Sequence, residues 1–330
     1  DPTSLDMREP LTNLGLDSLI SIELLNQLET DLKVDININE LQEETTGFTL
    51  AQNVLQTIFG SDDDGAQSAE VKPLVQLQAG KANQRPVFFV HPVGGSVLAY
   101  MDLVRALGPD QPFYGLQVPK VAGGEISYDS VDAMATAYLQ AIQERQPEGP
   151  YILGGWSMGA TVAFEIARRL TESGQQVEAL QLIDGLAPET LAQPDTSPAA
   201  VLRLFARDIG LSLEQLPANG FTDCSPEEGV EHIYQLGIAE GRLPPHLKLE
   251  DLILRFEVSQ KNFSALCAYE AKRFEGPVSV YKATTPLEEH VGAPEDMGWG
   301  AWSKTLVCHK TLPGDHFTLL HSEGVLSIAQ

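Results

Sequence analysis

Residues 151–160 read YILGGWSMGA, an apolar run that continues into a Gly-x-Ser-x-Gly pattern formed by Gly155, Ser157 and Gly159. Glycines on both sides of a serine suit a tight strand-to-helix corner, where a neighbouring Cβ would collide with the adjacent strand or helix. Such a corner exposes the hydroxyl at a sheet edge and aims the first N–H groups of the helix at the atom that the hydroxyl attacks. The pattern alone leaves open whether this serine is a nucleophile or part of an ordinary glycine-rich loop.

The segments on either side of this corner alternate between predicted strands and helices. Short apolar runs predict strands over 73–78, 86–91, 113–116, 151–154, 177–183, 277–281 and 305–310. Apolar residues at helical spacing predict helices over 131–145, after Ser157 to about residue 173, and from about residue 322. This alternation predicts an α/β fold with a mostly parallel sheet, in which functional residues follow the carboxyl ends of strands.

One long segment between two of these strands, about 188–274, has helical patterns and no predicted strand. A helical insertion at this place is most simply a lid above the carboxyl ends of the strands. Its apolar residues are also explained by helix–helix packing, and this explanation is favoured for most of them, with a minority lining a channel.

The loop after the second predicted strand, His91-Pro92-Val93-Gly94-Gly95, offers backbone donors. Pro92 has no N–H, so the N–H of Val93 is the first donor of the loop and a candidate for binding an oxyanion. The alternative is an ordinary strand-to-helix turn. A dinucleotide fingerprint is excluded because the Gly-x-Gly-x-x-Gly spacing is absent.

A serine hydroxyl needs a base and a group that orients the base before it can carry out acyl transfer near neutral pH. His316 is the favoured base among the seven histidines, because it follows the last strand and preserves the order serine, acid, histidine. Asp184 ends the strand after the nucleophile's helix and is the favoured acid, and Glu288 is the reserve. A turn cap for Asp184 and an exposed loop position for His316 are the plain alternatives.

The bulk composition excludes several function classes. A formal net charge of −25 argues against nucleic acid and anionic membranes as partners. No apolar run has the length of a membrane helix, and there is no signal-peptide pattern. Cys224, Cys267 and Cys308 have no paired or metal-type spacing, so we expect small buried hydrophobes in a reducing, cytoplasmic compartment and no metal site.

The acidic segment 1–60 differs in composition from the chain that follows. Its motif Leu14-Gly15-Leu16-Asp17-Ser18-Leu19 precedes an amphipathic helix pattern, in which Asp17 and Ser18 would also serve as N-cap residues. The segment resembles an acyl carrier domain of a polyketide synthase, and the resemblance implies that Ser18 carries a covalent 4′-phosphopantetheine. Carrier domains of this type begin with a long helix, whereas this sequence begins at the following Asp-Pro loop. The polar run over 61–70 predicts a flexible linker.

Residues 71–330 resemble a type I thioesterase domain of the α/β-hydrolase superfamily, as found at the end of polyketide, nonribosomal-peptide and fatty-acid synthases. The resemblance is carried by four landmarks in order. These are His91-Pro92-Val93-Gly94-Gly95, Gly155-Trp156-Ser157-Met158-Gly159, Leu182-Ile183-Asp184-Gly185 and Gly314-Asp315-His316. Members of this family place the acid after the earlier strand, which supports Asp184.

The resemblance implies two-step acyl transfer. Ser157, deprotonated by His316, would attack a thioester delivered from Ser18 while the N–H groups of Val93 and Met158 bind the oxyanion. Water or a nucleophile of the acyl chain would then give a free acid or a macrocycle. Upstream synthase modules and a phosphopantetheinyl transferase are the implied partners. An editing hydrolase and a carrier module with an idle hydrolase domain are the alternatives.

Overall fold

The computed structural model describes residues 73–121, 124–125, 128–190, 195–217, 219–243, 247–321 and 324–329, together with Thr46 and Leu50. The chain divides into two compact units, Asp1–Glu70 and Val71–Gln330. The predicted carrier domain, the attachment serine Ser18 and the predicted linker therefore lie outside the described residues, apart from Thr46 and Leu50.

Strands and helices alternate through the second unit. The described strands are β1 (Leu74–Gln78), β2 (Val87–Val90), β3 (Phe113–Leu116), β4 (Lys120–Val121), β5 (Gly124–Glu125), β6 (Tyr151–Trp156), β7 (Val177–Ile183), β8 (Phe274–Thr285) and β9 (Ser303–Asp315). The described α-helices are α1 (Met101–Leu107), α2 (Val131–Arg145), α3 (Met158–Glu172), α4 (Pro198–Asp208), α5 (Pro226–Ala239), α6 (Leu249–Cys267) and α7 (Gly324–Ala329). Short 3-10 helices lie at Leu98–Tyr100, Pro188–Thr190, Leu213–Gln215, Glu288–His290 and Trp299–Ala301.

Seven of these strands form one sheet in the order β1-β3-β2-β6-β7-β8-β9, and β4 pairs separately with β5. Only β1 runs antiparallel to its neighbour in this sheet, and every other pairing is parallel. After β2 the chain adds β3 on one side, whereas β6 lies on the other side. The connections that follow β2 and β6 consequently diverge from the carboxyl ends of these two strands. Sheets of this kind bind ligands at such a point.

The sheet is covered on both faces, and β2 shows how the residues are divided between them. Phe88 and Val90 belong to a core cluster that includes buried residues of α2 and α3. Val87 and Phe89, which alternate with them, belong to a second cluster with buried residues of α1 and α7. A strand buried on both faces explains why its sequence is an unbroken apolar run.

The segment between β7 and β8 forms an insertion whose described residues are helical or irregular. Its helices α4, α5 and α6 share a separate hydrophobic core. The buried members are Ala199, Val201, Leu202, Phe205, Ala206, Leu211, Leu216, Phe221, Val230, Ile233, Leu243, Leu252 and Phe256. Packing among its own helices therefore accounts for most of the apolar residues of this insertion, as the sequence favoured.

The predicted elements occur in the predicted order, but the last two strands, β8 and β9, are longer than predicted. The apolar runs predicted strands over 277–281 and 305–310, whereas β8 and β9 pair from Phe274 opposite Ser303 to Thr285 opposite Asp315. Backbone pairing continues past the apolar side chains because the ladder groups need partners whatever residue carries them. The short pair β4 and β5 was not predicted.

The cysteines are less buried than the composition predicted. The three cysteines are free and partly buried rather than fully buried. Within the described residues, no helix has both the length and the hydropathy of a membrane-spanning segment.

Candidate active site

Ser157 lies between β6 and α3 in an unusual backbone conformation. Its φ is 58° and its ψ is −125°, in a region that residues other than glycine rarely adopt. The N–H of Ser157 donates to the carbonyl of Ile183 at 2.8 Å, which ties the turn to β7. The hydroxyl does not cap α3, so it is left for contacts in the cavity that it lines. Strain of this kind is retained where the surrounding structure fixes it.

The glycines of the Gly-x-Ser-x-Gly pattern are required by close backbone approach. A Cβ at Gly155 would collide with the backbone of Gly159, and a Cβ at Gly159 would collide with the carbonyl oxygen of Val90. A Cβ at Gly185, which follows Asp184, would collide with the carbonyl oxygen of Ser157. The corner therefore depends on the absence of side chains on three sides.

Asp184 and His316 form a buried hydrogen-bonded pair. Nδ1 of His316 donates to Oδ2 of Asp184 at 2.7 Å, and the N–H of Ala283 donates to Oδ1 at 2.8 Å. The carboxyl is therefore held by one partner on each oxygen. Because an ionised carboxylate only accepts hydrogen bonds, this pairing places the proton on Nδ1 and leaves Nε2 of the neutral ring as an acceptor.

The pKa of Asp184 reflects two opposing effects. Burial raises the pKa, since Asp184 is 1% exposed, but the hydrogen bonds from His316 and Ala283, together with attraction to His316 when that ring is protonated, lower it by more. The net pKa lies below the usual range for a carboxyl, so Asp184 is ionised near neutral pH. An ionised carboxylate in contact with an imidazole stabilises the imidazolium that forms when the ring accepts a proton.

The loop that carries His316 is fixed by its own residues. Gly314 has a φ of 106°, and the carboxyl of Asp315 accepts the N–H groups of Phe317 and Thr318 at 3.0 and 2.9 Å. The ring of His316 packs against Trp156 with 5.1 Å between ring centroids. The Gly-Asp-His motif therefore builds a turn that holds the imidazole, with Asp315 in a structural role.

Glu288, the reserve acid in the sequence prediction, is exposed and does not line this cavity. The structure instead brings His290 to the site, which the sequence passed over because no motif surrounds it. Nδ1 of His290 lies 3.7 Å from Oδ2 of Asp184 and has no hydrogen-bond partner in the described part of the chain. Burial lowers the pKa of His290 to about 4, helped by repulsion from His316 when that ring is protonated, so His290 is neutral near pH 7.

The side chains of Asp184, His290 and His316 meet a loose geometric condition for a metal site, because their donor atoms lie within 4.8 Å of one another. The 2.7 Å between His316 Nδ1 and Asp184 Oδ2 is a hydrogen-bond distance. It is shorter than the roughly 3.3 Å that separates two ligands of a tetrahedral zinc ion with bonds of about 2.0 Å. The arrangement fits a hydrogen-bonded carboxylate and imidazole better than a metal centre.

The loop after β2 presents backbone donors to the cavity. The N–H of Gly95 donates to the carbonyl of Pro92 at 3.0 Å and closes a β-turn, whose central residues are Val93 and Gly94. A β-turn closed by this bond does not use the N–H groups of its central residues. Met158, the first residue of α3, also has an N–H without an intrahelical acceptor. Val93 and Met158 both line the cavity with Ser157.

Asn262 on α6 joins the insertion to this loop. Its side-chain amide donates to the carbonyl oxygen of Val93 at 2.8 Å, and the residue is 1% exposed. The two residues are 169 positions apart in the sequence, so no local pattern could have predicted the contact.

His91 has a structural place, as the sequence favoured. It is fully buried, with Nε2 2.7 Å from the hydroxyl of Tyr138 and Nδ1 2.6 Å from the carbonyl oxygen of Pro92. Burial lowers the pKa of His91 to about 4. Both ring nitrogens are occupied, so His91 holds the strand end and is not free to act as a base.

Residues from the sheet and from the insertion enclose the cavity together. Those of the sheet side include Val93, Ser157, Met158, Asp184 and His316. Those of the insertion are Asp195, Ala200, Arg203, Leu204, Asp208, Phe263 and Leu266. The wall is mostly apolar, which suits a long hydrocarbon group with a reactive carbonyl at the sheet edge.

Comparison with known protein families gives two matches. Residues 85–330 match the family described as thioesterase domain, and residues 1–48 match the family described as phosphopantetheine attachment site. The second match contains Ser18 and supports a covalent 4′-phosphopantetheine on this segment.

Curated relatives of this chain include proteins named as synthases and synthetases. The chain is 36% identical over 187 residues to a non-reducing polyketide synthase of Nectria sp, covering 53% of this chain and 9% of that protein. It is 30% identical over 278 residues to a dimodular nonribosomal peptide synthase of Bacillus subtilis, covering 82% and 11%. An inactive atromentin synthetase of Paxillus involutus is 29% identical over 268 residues, covering 79% and 28%. The chain spans less than a third of the length of these relatives.

Solved structures of a nonribosomal peptide synthetase and of a thioesterase domain also align with this chain. A four-domain nonribosomal peptide synthetase aligns with a TM-score of 0.72 and 30% identity, covering 99% of this chain and 24% of that one. The NocB thioesterase domain, solved as a covalent complex with a fluorophosphonate nocardicin G analogue, aligns with a TM-score of 0.55 and 25% identity, covering 78% and 96%. These matches agree with an α/β-hydrolase fold that carries a helical lid insertion.

Proposed function

Since the chain belongs to the thioesterase domain family, we propose that it transfers an acyl group from a carrier-bound thioester to Ser157 and then releases it by hydrolysis or macrocyclisation. The observation that carries the proposal is the Asp184–His316 pair, which lines the same cavity as Ser157 beside two groups of backbone donors. A phosphopantetheine arm, when attached at Ser18, would supply the acyl group as a thioester.

The first step uses the acceptor nitrogen of His316. The ring takes the proton of the Ser157 hydroxyl as the oxygen attacks the thioester carbonyl, and Asp184 stabilises the imidazolium. The N–H groups of Val93 and Met158 bind the negative oxygen of the tetrahedral intermediate. The tetrahedral intermediate then collapses, and the departing thiolate takes the proton from His316. The acyl group remains as an ester on Ser157.

The second step reuses the same groups. His316 removes a proton from water, or from a hydroxyl or amine of the acyl chain, and this nucleophile attacks the ester carbonyl. The tetrahedral intermediate collapses and returns the proton to Ser157. The apolar lid decides the outcome by admitting water or excluding it.

The phosphopantetheinyl transferase belongs to the same proposal. Incubation of the chain with such an enzyme and coenzyme A should add the mass of one phosphopantetheine group, and Ser18→Ala should abolish the addition. An unmodified wild-type chain would remove the carrier from the proposal without touching the hydrolase chemistry.

A second candidate is an idle hydrolase domain, and it is favoured by one finding, because two relatives carry the word inactive in their names. An editing hydrolase, which removes stalled acyl groups from a carrier, would use the same chemistry on a different set of acyl groups. The side chains of Ser157, Asp184 and His316 are all present at the cavity, which favours an active domain.

Active-site labelling tests the proposal directly. A fluorophosphonate probe should label the wild-type chain at one site, and Ser157→Ala should remove the label while the melting temperature stays within about 2 °C. Steady-state release of thiol from synthetic acyl thioesters should fall by about 10⁴-fold or more in the same variant. Labelling that persists in Ser157→Ala would overturn the assignment of the nucleophile, and an unlabelled wild type would favour the idle domain.

A further inference from the structure

Asp208 is a charged residue of the cavity wall that the proposed reaction does not use. It is the last residue of α4 and lines the same cavity as Ser157 and His316. Its carboxyl lies beside the loop after β2, because a Cβ built on Gly94 would be 3.1 Å from Oδ2 of Asp208. The charge is therefore placed near the turn that presents the N–H of Val93.

The carboxyl of Asp208 has no hydrogen bond and no ion pair with any residue that the structure describes. The two nearby arginines of α4 contact other groups. Arg207 stacks on the ring of Phe317, with its guanidinium carbon 4.9 Å from the ring centroid. Arg203 lies 3.7 Å from the carboxyl of Asp195 and donates to the carbonyl of Gly220.

The position of Asp208 on the helix makes an unpaired carboxylate unfavourable. The carboxyl end of a helix carries partial negative charge, which repels a carboxylate and attracts a cation. Asp208 as a whole residue is exposed, although it lines the cavity together with residues of the sheet side. Loss of hydration to the surrounding protein atoms raises the pKa of Asp208, and attraction to Arg255 and to a protonated His316 offsets only part of the effect.

The other acidic groups of the wall are already satisfied. Asp184 accepts hydrogen bonds from His316 and Ala283, and Asp195 lies near Arg203. Asp208 is the third aspartate of the lining residues, which include one arginine and no lysine. The electrostatic field in the cavity therefore favours a ligand that brings its own positive charge.

We propose that Asp208 binds a protonated amine on the acyl chain, so that the cavity selects amine-bearing acyl thioesters over neutral chains of the same shape. This inference rests on the proposed function and names the substrate class of that site. Asp208 is a specificity residue in this assignment, since it binds the chain and takes no part in the proton transfers.

The test compares two series of synthetic acyl thioesters of graded chain length, one ending in an amine and the other in a methyl group. Thiol release by the Ser157→Ala protein is subtracted as a blank, so that spontaneous cyclisation of the amine thioesters is not counted as turnover. For at least one chain length, wild type should prefer the amine by about tenfold in kcat/KM. Asp208→Asn, which keeps the shape of the side chain, should abolish this preference and leave kcat/KM for the methyl series within about twofold.

Two further variants keep the inference falsifiable. Asp208→Lys should reverse the preference toward chains that end in a carboxylate. Glu231→Gln, an exposed position of α5 outside the cavity lining, should leave the preference unchanged. An equal preference in wild type and Asp208→Asn overturns the inference while the thioesterase activity stands. Absence of turnover with both series in the wild type overturns the proposed function itself.

Discussion

The corner at Ser157 and the helical insertion face each other across one cavity, but they are held in different ways. Backbone atoms define the corner, because added side chains at Gly155, Gly159 and Gly185 would meet carbonyl groups of neighbouring segments. Side chains define the insertion, which packs α4, α5 and α6 around a hydrophobic core of their own. The proposed nucleophile thus occupies a backbone frame that tolerates few substitutions, whereas the insertion lines the cavity with side chains that can be exchanged more freely.

The largest expected effect is on the chemistry of the corner. Asp184→Asn should lower kcat by about 10⁴-fold, because the amide no longer favours the tautomer and charge that His316 needs. Glu288→Gln, an exposed acid outside the cavity, is the control and should remain within about twofold of wild type. Steady-state kinetics with one acyl thioester decides between them. Near-normal turnover in Asp184→Asn would remove this residue from the mechanism.

A second substitution tests whether backbone contact alone defines the corner. Gly155→Ala should lower the free energy of unfolding by about 3 kcal/mol, because the new Cβ collides with the backbone of Gly159. Gly292→Ala is the matched control. Its φ of 82° costs about 1 kcal/mol for a residue with a Cβ, but nothing lies within 4 Å of the added atom. Urea denaturation measures both, and equal losses would show that collision contributes little.

A third substitution breaks the contact between the two regions. Asn262→Ala removes the donor from the carbonyl of Val93 and leaves this buried group without its partner. We expect kcat for a small acyl thioester to fall by about tenfold, with a smaller change in KM. Ser264→Ala on the same helix, where the exposed hydroxyl donates to the carbonyl of Gln260, should change neither constant. An unaltered kcat in Asn262→Ala would separate the insertion from the chemistry.

The smallest expected effect concerns the cluster that joins α3 to the residues after α6. Glu165 is 1% exposed and accepts hydrogen bonds from Arg168, Arg169 and the hydroxyl of Tyr269. Burial raises the pKa of Glu165, but these partners lower it to about 2. Since the folded pKa lies below the unfolded value of 4.5, the stabilisation is present above pH 4.5 and is lost as the pH falls toward 2.

Tyr269→Phe should therefore cost about 1 kcal/mol of unfolding free energy at pH 7, and this cost should shrink between about pH 4.5 and pH 2. Tyr234→Phe is the control, because the hydroxyl of Tyr234 donates to the carbonyl of Leu247, which does not titrate. Urea denaturation as a function of pH measures both variants. A cost that does not depend on pH in Tyr269→Phe would contradict the role of Glu165.

The sequence predicted the corner because its determinants are close together in the chain. Gly155, Ser157 and Gly159 span five positions, and the apolar runs around them have the lengths and order of strands and helices in an α/β-hydrolase. The placement of Asp184 and His316 after strands was predictable for the same reason. Their bond and the orientation of each side chain required the structure.

The parts that escaped prediction depend on partners far away in the sequence. Asn262 reaches Val93 across 169 positions, and Tyr269 reaches Glu165 across 104. His290 and Asp208 sit in segments without a motif, and only the folded chain brings them to the cavity. Burial, unpaired polar atoms and local charge identify these residues, and all three properties arise from tertiary packing.

The bond from Asn262 to Val93 also links two equilibria. Any molecule that binds more strongly to the loop when this bond is formed must, by the same factor, stabilise α6 in its packed position. A covalent phosphonate on Ser157, whose oxygen would contact the N–H of Val93, should therefore slow amide hydrogen exchange along α6. In Asn262→Ala the protection should be confined to the loop and to α3. A ligand bound at Ser157 would then raise the free energy needed to separate α6 from the loop after β2.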